Sequence, residues 1–241
     1  SHQRLIPHGY KVYSQNEEDG IINYIFNQIG CKNKTFVEFG IGDGLENNTL
    51  ALLFDGWKGL WIEGSKSSVD KVCKGMTSLI RNKKLFLVNE FITRDNIDTI
   101  ISSNGFVGEI DLLSIDIDGN DFHILERIQC VKPRVVVMEY NAKFPPSLSY
   151  CMKYNESHTW SGDDNFGVSL KFLENKLSLS GYNLVGCNLT GSNAFFVRSD
   201  LISNLFHPPF TSENHYQPAR YFLSGYKSGH KASFSTIENK V

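Results

Sequence analysis

At 241 residues the chain is long enough for one domain with a well-buried core and too short for several. Its 24 Lys plus Arg stand against 26 Asp plus Glu, a formal net charge of −2 with no basic run, which excludes the usual electrostatic footprint of a nucleic-acid binder. No apolar run approaches the roughly 18 residues of a membrane span and no signal peptide opens the chain, so a cytoplasmic protein is expected, its five unpaired-looking cysteines reduced.

In chain order, Ser14-Gln15-Asn16-Glu17 reads as a capping box ahead of a helix whose Ile21, Ile22, Ile25, Phe26 and Ile29 share one face up to Gly30. The helix either packs on a sheet or offers Gln15, Glu18 and Asp19 to a ligand. A strand from Thr35 to Phe39 then runs into Glu38-Phe39-Gly40-Ile41-Gly42-Asp43-Gly44, a turn whose glycines let the backbone approach a ligand before a helix from Asn48 to Phe54. A second strand, Gly59 to Ile62, ends in Glu63, placed to accept the hydroxyls of a ribose.

The glycines do not follow G-x-G-x-x-G, and Glu38 would repel the pyrophosphate of a nicotinamide dinucleotide while attracting an ammonium and a sulfonium. The expected cofactor is therefore S-adenosylmethionine. Glu38, Gly40, Gly42, Asn48 and Thr49 are expected around its methionine end with Gln15 nearby, Glu63 at the ribose, and Phe91, past the third strand, at the adenine.

A helix from Ser67 to Lys74 leads to that third strand, Leu85 to Asn89, and a helix from Asp95 to Ser103 follows with Thr93 as its cap. Strand four, Ile110 to Ile115, ends in Asp116-Ile117-Asp118-Gly119-Asn120-Asp121, and a helix from Phe122 to Ile128 leads to strand five, Arg134 to Met138, which ends in Glu139. The acid run is not a calcium-sensor loop: counted from Asp116, position six is Asp121 instead of glycine and position twelve is Arg127 instead of glutamate.

Residues 142–166 read as a long cover over the substrate, and a helix from Val168 to Leu179 is followed by a hairpin of strands from Asn183 to Cys187 and Ala194 to Arg198. The expected fold is α/β: a Rossmann-like, doubly wound, mostly parallel sheet of seven strands closed by an antiparallel C-terminal hairpin. One domain is expected over residues 1–206, with an extension over 207–241 acting as a lid or an oligomer contact.

Asp116, Asp118 and Glu139, with Asn141 beside them, are hard oxygen ligands on neighbouring strand tips, which would repel one another without a cation. Mg²⁺ or Mn²⁺ is the candidate there, with Asp116 also within reach of the cofactor. The competing reading gives these acids to backbone N–H groups, helix caps and salt bridges. His158, in the cover loop, is the candidate general base, with His123 second; Tyr140, Trp160 and Tyr216 are candidates to stack on a sugar.

The segments YSQNEEDGIINYIF, FVEFGIGDG with ENNTLAL, GWKGLWIEGS, LLSIDIDGND, VVVMEYNA, GYNLVGCN and NAFFVRSDL together resemble the FkbM-type branch of class I S-adenosylmethionine-dependent methyltransferases over about residues 13–201. That resemblance implies O-methylation of a hydroxyl on a sugar or sugar-linked small molecule. A nicotinamide-dependent oxidoreductase and a catalytically inactive cofactor-binding scaffold are the alternatives.

Overall fold

The computed structural model describes residues 2–224 and 230–240; residue 1 and, in the expected extension, residues 225–229 and 241 lie outside the described residues. The first half of the chain alternates strictly. Helix α1 (Glu18–Ile29) precedes β1 (Thr35–Phe39), α2 (Leu50–Phe54), β2 (Lys58–Glu63), the pair α3 (Lys66–Gly75) and α4 (Thr77–Arg81), β3 (Leu85–Asn89), α5 (Ile97–Ser103), β4 (Gly108–Ile115), α6 (Asp121–Leu125) and β5 (Val131–Glu139). After a long loop come α7 (Leu170–Leu179), β6 (Tyr182–Cys187), β7 (Asn193–Arg198) and two further short helices, α8 (Ser212–His215) and α9 (Phe234–Lys240).

The seven strands form one sheet in the order β3-β2-β1-β4-β5-β7-β6. β1 to β5 are parallel, and β7 runs antiparallel between β5 and β6. This is the doubly wound, Rossmann-like sheet with a reversed strand near one edge, and all seven expected strands are present. Alternation along each strand builds two cores. Phe36, Trp61, Leu112, Val135 and Val137 face α1 to α4, whereas Val37, Leu60, Ile62, Leu113, Val136 and Met138 face α5 to α7. Each fully buried side chain of this kind contributes about 1.5–3 kcal/mol, so neither face tolerates a register slip. From β1 the chain winds to β2 and β3 on one side and to β4 and β5 on the other. The crevice of such a sheet opens at the switch point, outside the carboxyl ends of β1 and β4.

The opposite end of the sheet is locked by a buried ion pair. Arg134 Nη1 lies 2.8 Å from Asp111 Oδ1, and the guanidinium also donates to the Ile29 and Gly30 carbonyls at the end of α1. Asp111 in turn accepts the N–H groups of Lys32, Asn33 and Lys34, which hold its carboxyl below the usual range despite its burial.

Several local expectations are corrected. Ser14 to Glu17 is not a capping box: Glu17 precedes α1 without a side-chain cap, and its carboxylate accepts from Leu189 N–H. Asp19 Oδ2 instead gathers the N–H groups of Val12, Tyr13 and Ser14 at 2.6–2.8 Å and closes the preceding loop. The helix expected from Asn48 starts at Leu50, because the Asn47 side chain accepts from Thr49 and Leu50 N–H and folds the entry as a turn. Thr93 is not the cap of α5; Asn96 holds that position and reaches back to Thr93 N–H at 2.8 Å. Helix α4 was not anticipated, and α6 stops at Leu125.

Residues 207–224 fold back on the same body: Gln217 O accepts from Tyr140 Oη, Arg220 N–H donates to Thr190 O and Ser224 Oγ donates to Asn16 Oδ1. Among the described residues no helix is long and apolar enough to cross a membrane.

Candidate active site at the carboxyl ends of the strands

A cavity of about 720 Å³ opens where β1, β2, β4 and β5 end. Its floor is the turn after β1. Gly40 has φ of +78°, and a Cβ there would lie 1.5 Å from Asp116 O, so only glycine lets β1 and β4 end side by side. Among the described residues, eight carboxylates line the cavity, from Glu38, Asp43, Glu46, Glu63, Glu90, Asp116, Asp118 and Glu139, and no Lys or Arg does. The field inside therefore selects cationic occupants.

Glu38, on β1, is buried between the turn that enters α2 and Ser114 of β4. Thr49 Oγ1 donates to its Oε2, while Asn48 N–H and Ser114 Oγ each lie 3.0 Å from Oε1. Burial nevertheless lifts its carboxyl to about 7. Asn48 lines the cavity, but Thr49 does not; its hydroxyl accepts from Trp61 Nε1 and fixes Glu38 from behind. Gln15 lines the cavity, whereas Glu18 and Asp19 do not. Glu18 is enclosed by donors from Asn16, Asn188 and Asn193, so the reading that sent these two acids to a ligand is overturned.

Glu63 stands at the tip of β2, where Oε2 accepts Gly42 N–H at 2.9 Å and Oε1 accepts Ser65 N–H at 2.8 Å. The backbone thus holds the carboxylate beside the glycine turn, with lone pairs left to accept from hydroxyls. Phe91 lines the next stretch of wall and is half exposed, as a ring free to stack would be.

Across the cavity, one carboxylate oxygen from each of Asp116, Asp118 and Glu139 lies within 4.8 Å of the other two. Burial and the neighbouring acids push Asp116 and Glu139 well above the usual carboxylate range; burial also raises Asp118, against the pull of His158. Glu139 Oε2 is buried without a hydrogen-bond partner, and so is Oδ1 of Asn193, its register partner on β7. The Asn193 amide cannot turn to relieve this, because its Nδ2 donates to Glu18. Among the described residues, two buried oxygens on adjacent strands are therefore left to be satisfied by a cation, a donor or the proton of the raised Glu139 carboxyl itself. Asp121, which sequence reasoning treated only as the end of the acid run, is buried and accepts Ile117 and Gly119 N–H at 2.9 and 2.8 Å, shaping the loop that presents Asp118 at φ of +55°.

Asn141 is not available as a ligand. It does not line the cavity: its Oδ1 accepts Lys143 N–H at 3.2 Å, and its Nδ2 donates to the Asp164 and Phe166 carbonyls and pins the cover loop. That loop brings His158 over Gly119, where a Cβ would lie 2.2 Å from the ring. His158 Nε2 lies 3.1 Å from Asp118 O and donates to it, so in the neutral ring Nδ1 is the nitrogen with the lone pair. His123 is held by Met152 O at 2.7 Å. The expected stacking residues are elsewhere: Tyr140 is fully buried, Tyr216 donates to Ala142 O, and Trp160 donates to Asp163 O at the surface, none of them lining the cavity.

No protein-family model and no curated protein matches the chain. Solved structures do. The glycopeptide N-methyltransferase MtfA complexed with sinefungin is 12% identical with a TM-score of 0.45, over 78% of this chain and 87% of that one. The N-terminal domain of EvdMO1 with SAH bound is 12% identical with a TM-score of 0.47, over 78% and 88%. A S-adenosylmethionine-dependent methyltransferase from Clostridium acetobutylicum is 10% identical with a TM-score of 0.46, over 73% and 90%. At such identities and scores these likenesses carry no argument about chemistry, and the fold assignment stands on the strand order itself.

Proposed function

We propose that the chain is an S-adenosylmethionine-dependent methyltransferase of the FkbM type that methylates a hydroxyl of a sugar or sugar-linked small molecule. The observation that carries this reading is the cavity wall: among the described residues, eight carboxylates and no Lys or Arg suit a donor bearing an ammonium and a sulfonium and oppose a dinucleotide pyrophosphate. In this reading Gln15, Glu38, Gly40, Gly42 and Asn48 surround the methionine end, with Thr49 supporting Glu38 from behind; Glu63 accepts the ribose hydroxyls and Phe91 stacks on the adenine. The cofactor supplies an electrophilic methyl group.

The chain's own part is to hold, orient and deprotonate. Fixing the acceptor oxygen in line can supply roughly 7–11 kcal/mol. The orphaned Glu139 oxygen and the close approach of Asp116 and Asp118 fit a divalent ion, Mg²⁺ or Mn²⁺, held by these three acids. Such an ion, when bound, lowers the pKa of a coordinated hydroxyl. His158 Nδ1 is the group that takes the proton, a step worth about 10²–10⁴ in rate.

Calorimetry with S-adenosylhomocysteine and with NAD tests the cofactor. Binding of the first alone is expected, and binding of NAD alone overturns the assignment. Methyl gain on free and nucleotide-linked sugars, followed by mass, tests the acceptor. Exhaustive chelation is expected to abolish turnover while leaving S-adenosylhomocysteine affinity within a few fold; undiminished turnover removes the metal.

A further inference from the structure

Beside the acidic cavity lies a second of about 470 Å³, and His158 lines both. The two walls differ in charge. Among the described residues no carboxylate lines the second cavity, where Lys153, Asn155, Asn165, Tyr150 and Tyr154 supply the polar groups. Lys153 makes no ion pair among the described residues. Asn155 Oδ1 accepts from Ser157, and Asn165 Oδ1 accepts from Tyr150 Oη at 2.9 Å, so each amide leaves its Nδ2 group as an unengaged donor. A lysine and two asparagines thus belong to the lining of one hollow, across a histidine from the acids.

Resting on the methyltransferase reading above, we propose that the second cavity is the subsite for the far end of the acceptor, and that this end is a phosphoryl group: the substrate is a sugar phosphate or a nucleotide-linked sugar. An acceptor of this kind is drawn in by its anion at Lys153 and kept by that same charge from entering the acidic cavity backwards. His158 sits at the junction, where the hydroxyl to be methylated would pass. The cover loop supplies the whole subsite, since every residue of its wall lies between Tyr150 and Asn165.

The test follows the His158 ring resonances of the full chain, assigned with His158→Gln, while inorganic phosphate, pyrophosphate or glucose is added in the presence of S-adenosylhomocysteine. A saturable shift with the anions and none with glucose is expected, weakened about tenfold in Lys153→Ala, as loss of one charge-assisted contact implies. A stronger response to phosphate than to pyrophosphate favours the monoester over the nucleotide-linked sugar. No saturable response to either anion, or one that Lys153→Ala leaves intact, overturns the subsite. S-adenosylhomocysteine affinity, read in parallel, fails separately if it is the cofactor reading that is wrong.

Discussion

Replacing Glu38 by Gln isolates one buried acid from the rest of the cavity. In the fold its carboxyl titrates at about 7 against an ordinary 4.5, because burial outweighs the Thr49, Asn48 and Ser114 donors that favour its ionised form. An acid whose folded pKa is the higher one carries no penalty below its unfolded value, and the stability is lost as pH rises through the folded value. Between 4.5 and about 7 the loss from Glu38 amounts to roughly 3 kcal/mol. A glutamine of the same shape can still accept from Asn48 and Ser114 while its amide donates to Thr49, so the substitution removes the titration and leaves the packing. The assay is chemical denaturation of both proteins from pH 5 to pH 8 without ligand. Asp116, Asp118 and Glu139 slope the same way, so the difference between the two proteins carries the test, not the wild-type slope. E38Q is expected to gain on the wild type by about 2.5 kcal/mol between pH 5 and pH 8. A difference that stays constant to within about 0.5 kcal/mol refutes the reasoning. A cation in the cavity offsets the penalty, so S-adenosylmethionine, with its sulfonium and ammonium, should flatten the wild-type profile and leave the slope of the E38Q profile as it was.

Gly40→Ala should lower the melting temperature and abolish cofactor binding together, because the new methyl group would meet Asp116 O where β1 and β4 end. Gly119→Ala displaces the His158 ring; faster limited proteolysis within residues 150–165, with little change in melting temperature, is the expected signature. Arg134→Ala leaves Asp111 buried without its partner and should cost about 3–5 kcal/mol in urea unfolding, at the end of the sheet remote from the cavity and so without altering ligand affinity per folded molecule.

The sheet was legible because its signals are periodic and local. Short apolar runs such as Leu85 to Asn89 end in polar or glycine punctuation, and alternation between two helix layers follows from burial on both faces. Less legible was the partner of each polar group. Ser14 to Glu17 spells a capping box, yet Glu17 finds Leu189, on a hairpin more than 170 residues away, and Asp19 takes the backbone donors of the loop just before it. Asn141 was read as a ligand from its place after β5, although its amide is spent on the cover loop. Trp160 was a candidate to stack on a sugar, while its indole N–H is satisfied within three residues and holds the ring at the surface.

The same distinction explains why the acids were found and Asn193 was not. Carboxylates at strand tips announce themselves in sequence, since their charge has no reason to gather unless something offsets it. An asparagine on β7 announces nothing, and it matters only because the reversed strand sets it in register with Glu139 and a buried Glu18 holds its amide. The antiparallel hairpin therefore does more than cover the sheet edge: it brings an oriented acceptor, with no pKa of its own, up against a cluster of acids that are costly to ionise together. An amide adds lone pairs there without adding charge. A fourth carboxylate at residue 193 would deepen the repulsion that already raises Asp116 and Glu139.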